Sequence, residues 1–170
     1  MIIYLVKVED KKIIFFRGVD ELNFPVGEVR GKGVTPIDFV SKAEELSSKA
    51  FNGYLILSVK GNFVEEGIIF FKGGVIIGCI VECLAVEKTI KGNDALEFFF
   101  NQTKGKGFFH LVELTRSQVD LITAFDEKLL VNKIDLKELP KSIPSVFSIK
   151  FEKPLDSKST LDAYGLSELK

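Results

Sequence analysis

The chain of 170 residues holds one histidine, His110, and two cysteines, Cys79 and Cys83. A side-chain metal site needs several such ligands at fixed spacing, and here none form a set. His110 sits in Phe108-Phe109-His110-Leu111-Val112, which reads as a strand; a lone strand histidine is commonly hydrogen-bonded or half exposed, and at most pH-sensitive. The cysteines are four residues apart in another strand-like run. They therefore face the same side, about 13 Å apart at ~3.3 Å per residue, beyond disulfide reach. Both are expected to be reduced and to act as small apolar side chains. A nucleophile needs a neighbouring base, yet there is no Gly-x-Ser-x-Gly elbow and His110 has no serine partner in its motif. Glu65 and Glu66 are adjacent carboxylates, read here as a solvated turn with the two on different faces. These residue types imply a non-catalytic chain, with no catalytic residues, no metal and no cofactor.

Two stretches stand out as binding candidates. Gly27-x-x-x-Gly31-Lys32-Gly33, followed by Thr35, is a glycine-rich connector before a helix start, where free N–H groups can hold an anion. Gly31, Lys32, Gly33 and Thr35 would line that anion loop. It departs from the phosphate loop, which has four residues between its glycines and Ser or Thr after Lys. The second stretch is Phe98-Phe99-Phe100. At ~100° per residue, these rings with Ala95 and Leu96 spread over about 200° of a helix, more than one sheet covers. A second cover is required. Either the N-terminal hairpin or the C-terminal appendage provides it, or Phe98, Phe99 and Phe100 form an interface for a second copy or another protein.

The elements that position these residues follow from periodicity and turn chemistry. Residues 2–8 alternate as a strand, Glu9-Asp10-Lys11-Lys12 is a polar turn, and Ile13 to Arg17 is a second strand, giving an N-terminal hairpin over 1–17. Thr35 and Pro36 supply an N-cap and a first helical position. Ile37, Val40, Ala43, Leu46 and Ala50 then form one apolar stripe, closed at Asn52-Gly53. Tyr54–Val59, Gly67–Phe71 and Val75–Cys83 are Ile-, Val- and Phe-rich strands in an antiparallel meander. Lys60-Gly61-Asn62 and Gly73-Gly74 are the turns between them. Ile68 to Phe71 and Val75 to Ile77 are apolar on both faces, as in strands covered on both sides. Asn93 or Asp94 starts a helix to about Thr103, stopped by Gly105. Phe108–Leu114 is a strand, and Thr115-x-x-Gln118 is a capping box before a helix with Val119, Ile122, Phe125 and Leu129 on one face. Pro140, Pro144 and Pro154 punctuate the remainder, which holds one alternating strand (Phe147, Ile149, Phe151) and a short helix from Ser159.

The expected fold is α+β, α/β in the broad sense: an antiparallel meander sheet with three main helices, a body over residues 1–131 and an appendage over 132–170. Hydrophobic residues make up 46% and Phe alone 16 positions, with no Trp. That composition suits a packed core rich in ring contacts. A net charge of −1 and a pI near 6 count against a nucleic-acid partner. Met1 to Val6 is apolar but lacks a basic leader, and no charge-free run approaches the ~20 residues of a membrane helix. The expectation is a cytoplasmic protein without membrane contact.

The order Gly53-Tyr54-Leu55, Glu66-Gly67-Ile68-Ile69-Phe70-Phe71-Lys72-Gly73-Gly74-Val75-Ile76, Gly92-Asn93-Asp94-Ala95-Leu96 and Gly105-Lys106-Gly107-Phe108-Phe109 resembles the PATAN-type domain, named for a PatA N-terminal region. With Gly31-Lys32-Gly33 and the helix from Thr115 added, the likeness covers about residues 24–131. It is closer to an archaeal relative of that type with no assigned function. The resemblance implies a protein–protein adaptor in signalling or regulation, and it carries over no catalytic residue. A homodimer or a protein complex is the expected working state.

Overall fold

The computed structural model describes residues 5–8, 11–14, 24–25 and 27–152. Eight strands and four helices follow in chain order. β1 (Leu5–Val8) and β2 (Lys11–Ile14) pair antiparallel as a hairpin, within the expected 1–17 stretch. β3 (Glu28–Thr35), β4 (Gly53–Lys60), β5 (Val64–Lys72), β6 (Val75–Cys83), β7 (Lys88–Lys91) and β8 (Gly107–Glu113) form one sheet in the order β3-β8-β4-β5-β6-β7. Every pairing in it is antiparallel. The fold is α+β, with the expected meander at its centre. No helix of the described residues is long and apolar enough to cross a membrane.

Burial on both faces explains why Tyr54–Leu57 of β4 and Ile68–Phe71 of β5 read as apolar runs. Leu55, Leu57, Ile69 and Phe71 pack on one face against α1 (Phe39–Ser48) and α2 (Asn93–Gln102). Tyr54, Ile56, Ile68 and Phe70 pack on the other against Val119 and Ile122 of α3 (Arg116–Phe125), with Phe24 beside them. Cys79 and Cys83 share the α1/α2 face, buried and unbonded to each other. The Gly73-Gly74 turn has φ of 57° and 78°, the positive pair that a primed hairpin turn requires. Gly74 also lies under the end of α1, where a Cβ would come within 2.6 Å of the Ser47 backbone.

Several element boundaries differ from the sequence expectation. The cap of α1 is Asp38, not Thr35: its carboxylate accepts from the Ser41 N–H at 3.2 Å and from the Ser41 hydroxyl at 2.7 Å. Thr35 is drawn instead into β3 by pairing with Gly107, and Ala50, counted in the helical stripe, lies past the helix with φ of 48°. Gly92 rather than Asn93 precedes α2. The capping box of α3 is present as expected, but Phe125 at its end is 82% exposed while Val119 and Ile122 are buried.

The first part of the C-terminal stretch packs into the core. Leu129 follows α3 in a short 3-10 turn and is buried on the α3 face. The chain then crosses to the opposite face, where Leu139 of α4 (Leu139–Ser142) and Phe151 join the α1/α2 core. Phe147, Ile149 and Phe151 form no strand. The Asn101 side chain takes the place of a ladder, donating to the Ser148 carbonyl at 2.8 Å and accepting from its N–H at 2.9 Å. The short helix expected from Ser159 lies outside the described residues.

Candidate functional site

Sheet register brings together a row of polar groups on the α1/α2 face. Thr35 pairs with Gly107, Gly107 with Val59, and Val59 with Glu65; farther along, Cys83 pairs with Lys88. Glu65 is 0% exposed. Its Oε2 accepts from the Gln102 amide of α2 at 3.3 Å. Among the described residues, Oε1 of Glu65, Oε1 of Gln102 and Oγ1 of Thr35 are buried with no hydrogen-bond partner. A Cβ at Gly67 would fall 2.0 Å from Gln102 Oε1, so the bare glycine is what lets α2 settle this close to β5.

The C-terminal stretch closes the row. Glu152 is buried, and its carboxylate accepts from the backbone N–H groups of Asn62 at 3.0 Å and Phe63 at 2.9 Å, in the β4–β5 turn. Lys88 donates to the Phe151 carbonyl at 3.0 Å, with its ammonium 4.9 Å from the Phe151 ring centroid and 5.7 Å from that of Phe98. Burial pushes the Glu65 carboxyl up to about 7; Gln102 opposes this, Glu152 adds to it and Lys88 opposes it. Burial also raises the Cys83 thiol, and the charges of Glu152 and Glu65 push the same way. Such a thiol is held as S–H and is a poor nucleophile.

Glu65 and Glu66 do point to different faces, but they lie inside β5 and are buried, not in a solvated turn. Glu66 stands between Ser58 and Glu82 in the register of the α3 face. Burial pushes its carboxyl up to about 7, the Ser58 hydroxyl at 3.3 Å opposing and Glu82 adding. The sequence offered these two glutamates as a solvated turn, which their burial overturns, and it gave no sign of Gln102, Glu152 or Lys88. The usable signal was Phe63-Val64 running into Gly67-Ile68: strand residues on both sides of the acidic pair. Among the described residues no three His, Cys, Asp or Glu are placed so that they could hold a metal ion. Chemically, the row can hold a proton near neutrality inside the protein.

The two sequence candidates fare differently. Gly31, Lys32 and Gly33 are not a loop but the middle of β3, paired with Leu111, His110 and Phe109. Thr35 is buried, and the N-terminus of α1 is occupied by the carboxylate of Asp38. An anion there would meet a like charge on the cap. Phe99 and Phe100 are buried in the core against Phe39, while Phe98 is half-buried and packs edge-on against Phe151 at 5.0 Å. The second cover for α2 comes from the chain's own C-terminal stretch. His110 is half-buried on β8 opposite Ile56 and Lys32.

No curated protein matches the chain, and no solved structure does. One family model matches residues 22–126, described as "Uncharacterized protein conserved in archaea (DUF2226)". That span takes in β3 to α3, the whole six-stranded sheet with its three main helices, and the chain belongs to this archaeal family.

Proposed function

We propose that this chain is a non-catalytic protein-interaction module that pairs with a second copy of itself through the outer edge of its sheet. The observation that carries the reading is an apolar pair at that edge: Val34 on β3 is 77% exposed, and its cross-strand neighbour Phe108 is 53% exposed. Leaving such side chains bare rather than buried forfeits roughly 1.5–3 kcal/mol each. Among the described residues β3 is bonded along one side only, by β8, and ends the sheet, and an edge backbone is a template for another strand.

The composition of β3 favours a second β3 as the occupant. In an antiparallel pairing centred between Lys32 and Gly33, Lys32 faces glycine and Gly31 faces Val34. No like charges then stand directly opposite, which would disfavour pairing. Arg30, left over where the β3–β8 register shifts, is neutralised within the chain by Glu28 and Glu113. A twofold arrangement satisfies the same patch on both copies and closes the assembly. The adaptor role implied by the PATAN-like pattern agrees with a module that works by contact, and a cytoplasmic setting suits its two free thiols.

Light-scattering mass across a concentration series tests the reading. The wild type should reach twice 19.0 kDa, whereas Val34→Lys and Phe108→Lys should stay folded by circular dichroism and remain at the single-chain mass. A wild type at 19.0 kDa throughout, or variants that still double, would overturn it.

A further inference from the structure

The stretch Ser148–Glu152 crosses α2 as a strap held at three points. Asn101 grips Ser148 through backbone and hydroxyl, Lys88 holds the Phe151 carbonyl, and Glu152 is tied to the amides of Asn62 and Phe63. Beneath the last point lies Glu65, with one 3.3 Å hydrogen bond and an unpartnered oxygen beside an equally unpartnered Gln102 oxygen. An ionised Glu65 offers only acceptors to this setting, whereas a neutral one adds the O–H donor that the Gln102 oxygen lacks.

We propose that the strap is a latch held by a proton: it stays closed over Phe98 while Glu65 is protonated, and opens when Glu65 ionises. The groups facing Glu65 decide the sign. Glu152 approaches from the strap with the same charge, Lys88 from β7 with the opposite one, Cys83 from β6 as a neutral thiol, and Gln102 from α2 as a neutral amide. Lys88 is already committed to the Phe151 carbonyl and the two rings, so it offsets the new charge only in part. The Lys150–Glu97 contact at 4.0 Å is more than half exposed at both side chains and holds the strap weakly. Lifting the strap hydrates the carboxylate and separates it from Glu152. With Glu65 raised from 4.5 to about 7 in the closed state, the closed-to-open ratio falls as pH rises through neutrality and levels above it.

Amide hydrogen exchange of Asn62 and Phe63, corrected for intrinsic rates, reads the latch at its tied end. Between pH 5 and pH 8 the wild-type protection should drop by up to on the order of a hundredfold, the part of the linkage that falls inside this window for a group raised from 4.5 to about 7. Glu65→Gln should keep both amides protected with no pH dependence. Glu152→Gln keeps one oxygen acceptor and loses the other, so it gives up one of the two amide bonds while removing the repulsion; its protection should be lower at pH 5 but depend less on pH than that of the wild type. Should Glu65→Gln fail to fold, Glu152→Gln carries the test alone. Protection in the wild type that does not change from pH 5 to 8, or the same fall in wild type and Glu152→Gln, would overturn the proposal.

Discussion

Replacing Glu65 by Gln should make the protein more stable at pH 8 and leave it nearly unchanged at pH 5. In the folded chain the carboxyl is raised to about 7 from its ordinary 4.5, so between those values the folded state holds a proton that the unfolded state has released. Stability is therefore fully present below about 4.5, declines as pH rises toward 7, and levels beyond. A displacement of that size corresponds to about 3 kcal/mol lost across the window. Glu66, pushed the same way on the opposite face, adds a decline of similar sign. Glu45, held down near 2 by Lys42 and Lys49, and Asp38, lowered by Ser41, work in the opposite sense. Their contribution is complete above the carboxylate range and is lost only in acid, so neither disturbs the pH 5 to 8 window. Urea unfolding followed by circular dichroism at half-unit steps measures the profile. The wild type should weaken from pH 5 to 7, and Glu65→Gln should show a clearly shallower decline. Equal slopes in the two proteins, or a wild type that gains stability across the window, would refute the assignment of a proton to Glu65.

Two further outcomes concern the framework. Phe151→Ala removes a fully buried ring from the α1/α2 core and should destabilise by about 3–5 kcal/mol, the range for a large core aromatic; a denaturation midpoint equal to wild type would mean that the C-terminal stretch contributes nothing to the body. Asp38→Ala removes the cap of α1 and should lower stability by about 1 kcal/mol, while Thr35→Val, aimed at the cap that the sequence suggested, should not destabilise, because the Thr35 hydroxyl is buried without a partner; a thermal-denaturation comparison of the pair distinguishes the two cap assignments.

What the sequence disclosed was local, and what it concealed was tertiary. The Gly73-Gly74 turn and the Thr115-x-x-Gln118 box are set by neighbours in the chain, and both occur where expected. β3 was illegible because Gly31 and Gly33 have low strand propensity; only the long-range partner β8, whose His110 lies opposite Lys32, makes that stretch extended. Phe98, Phe99 and Phe100 did signal two covers for α2. The choice among hairpin, appendage and partner stayed open, because Phe151 reaches α2 through a connection that crosses from one face of the sheet to the other. Glu65 looked solvated for the opposite reason: charge is a strong surface prior, and its burial arises from Gln102 and Glu152, 37 and 87 residues away.

That crossing also separates the limits of the family match from the limits of the packed unit. The match ends at residue 126, immediately after α3. Leu129, Leu139 and Phe151 lie beyond it, and each is no more than 1% exposed. Leu129 is held where Val131 donates to the Ile77 carbonyl at 3.0 Å and Asn132 to the Asn93 side chain at 2.8 Å, so the crossing is anchored to β6 and to the start of α2. A sheet apolar on both faces and a helix apolar over more than half its circumference cannot both be covered by three helices joined through short connections. Carrying one chain segment from the α3 face to the outer side of α2 meets both needs. It also places Glu152 beside Glu65, so the packing that completes the core creates the buried carboxylate pair from which the proton-linked latch follows.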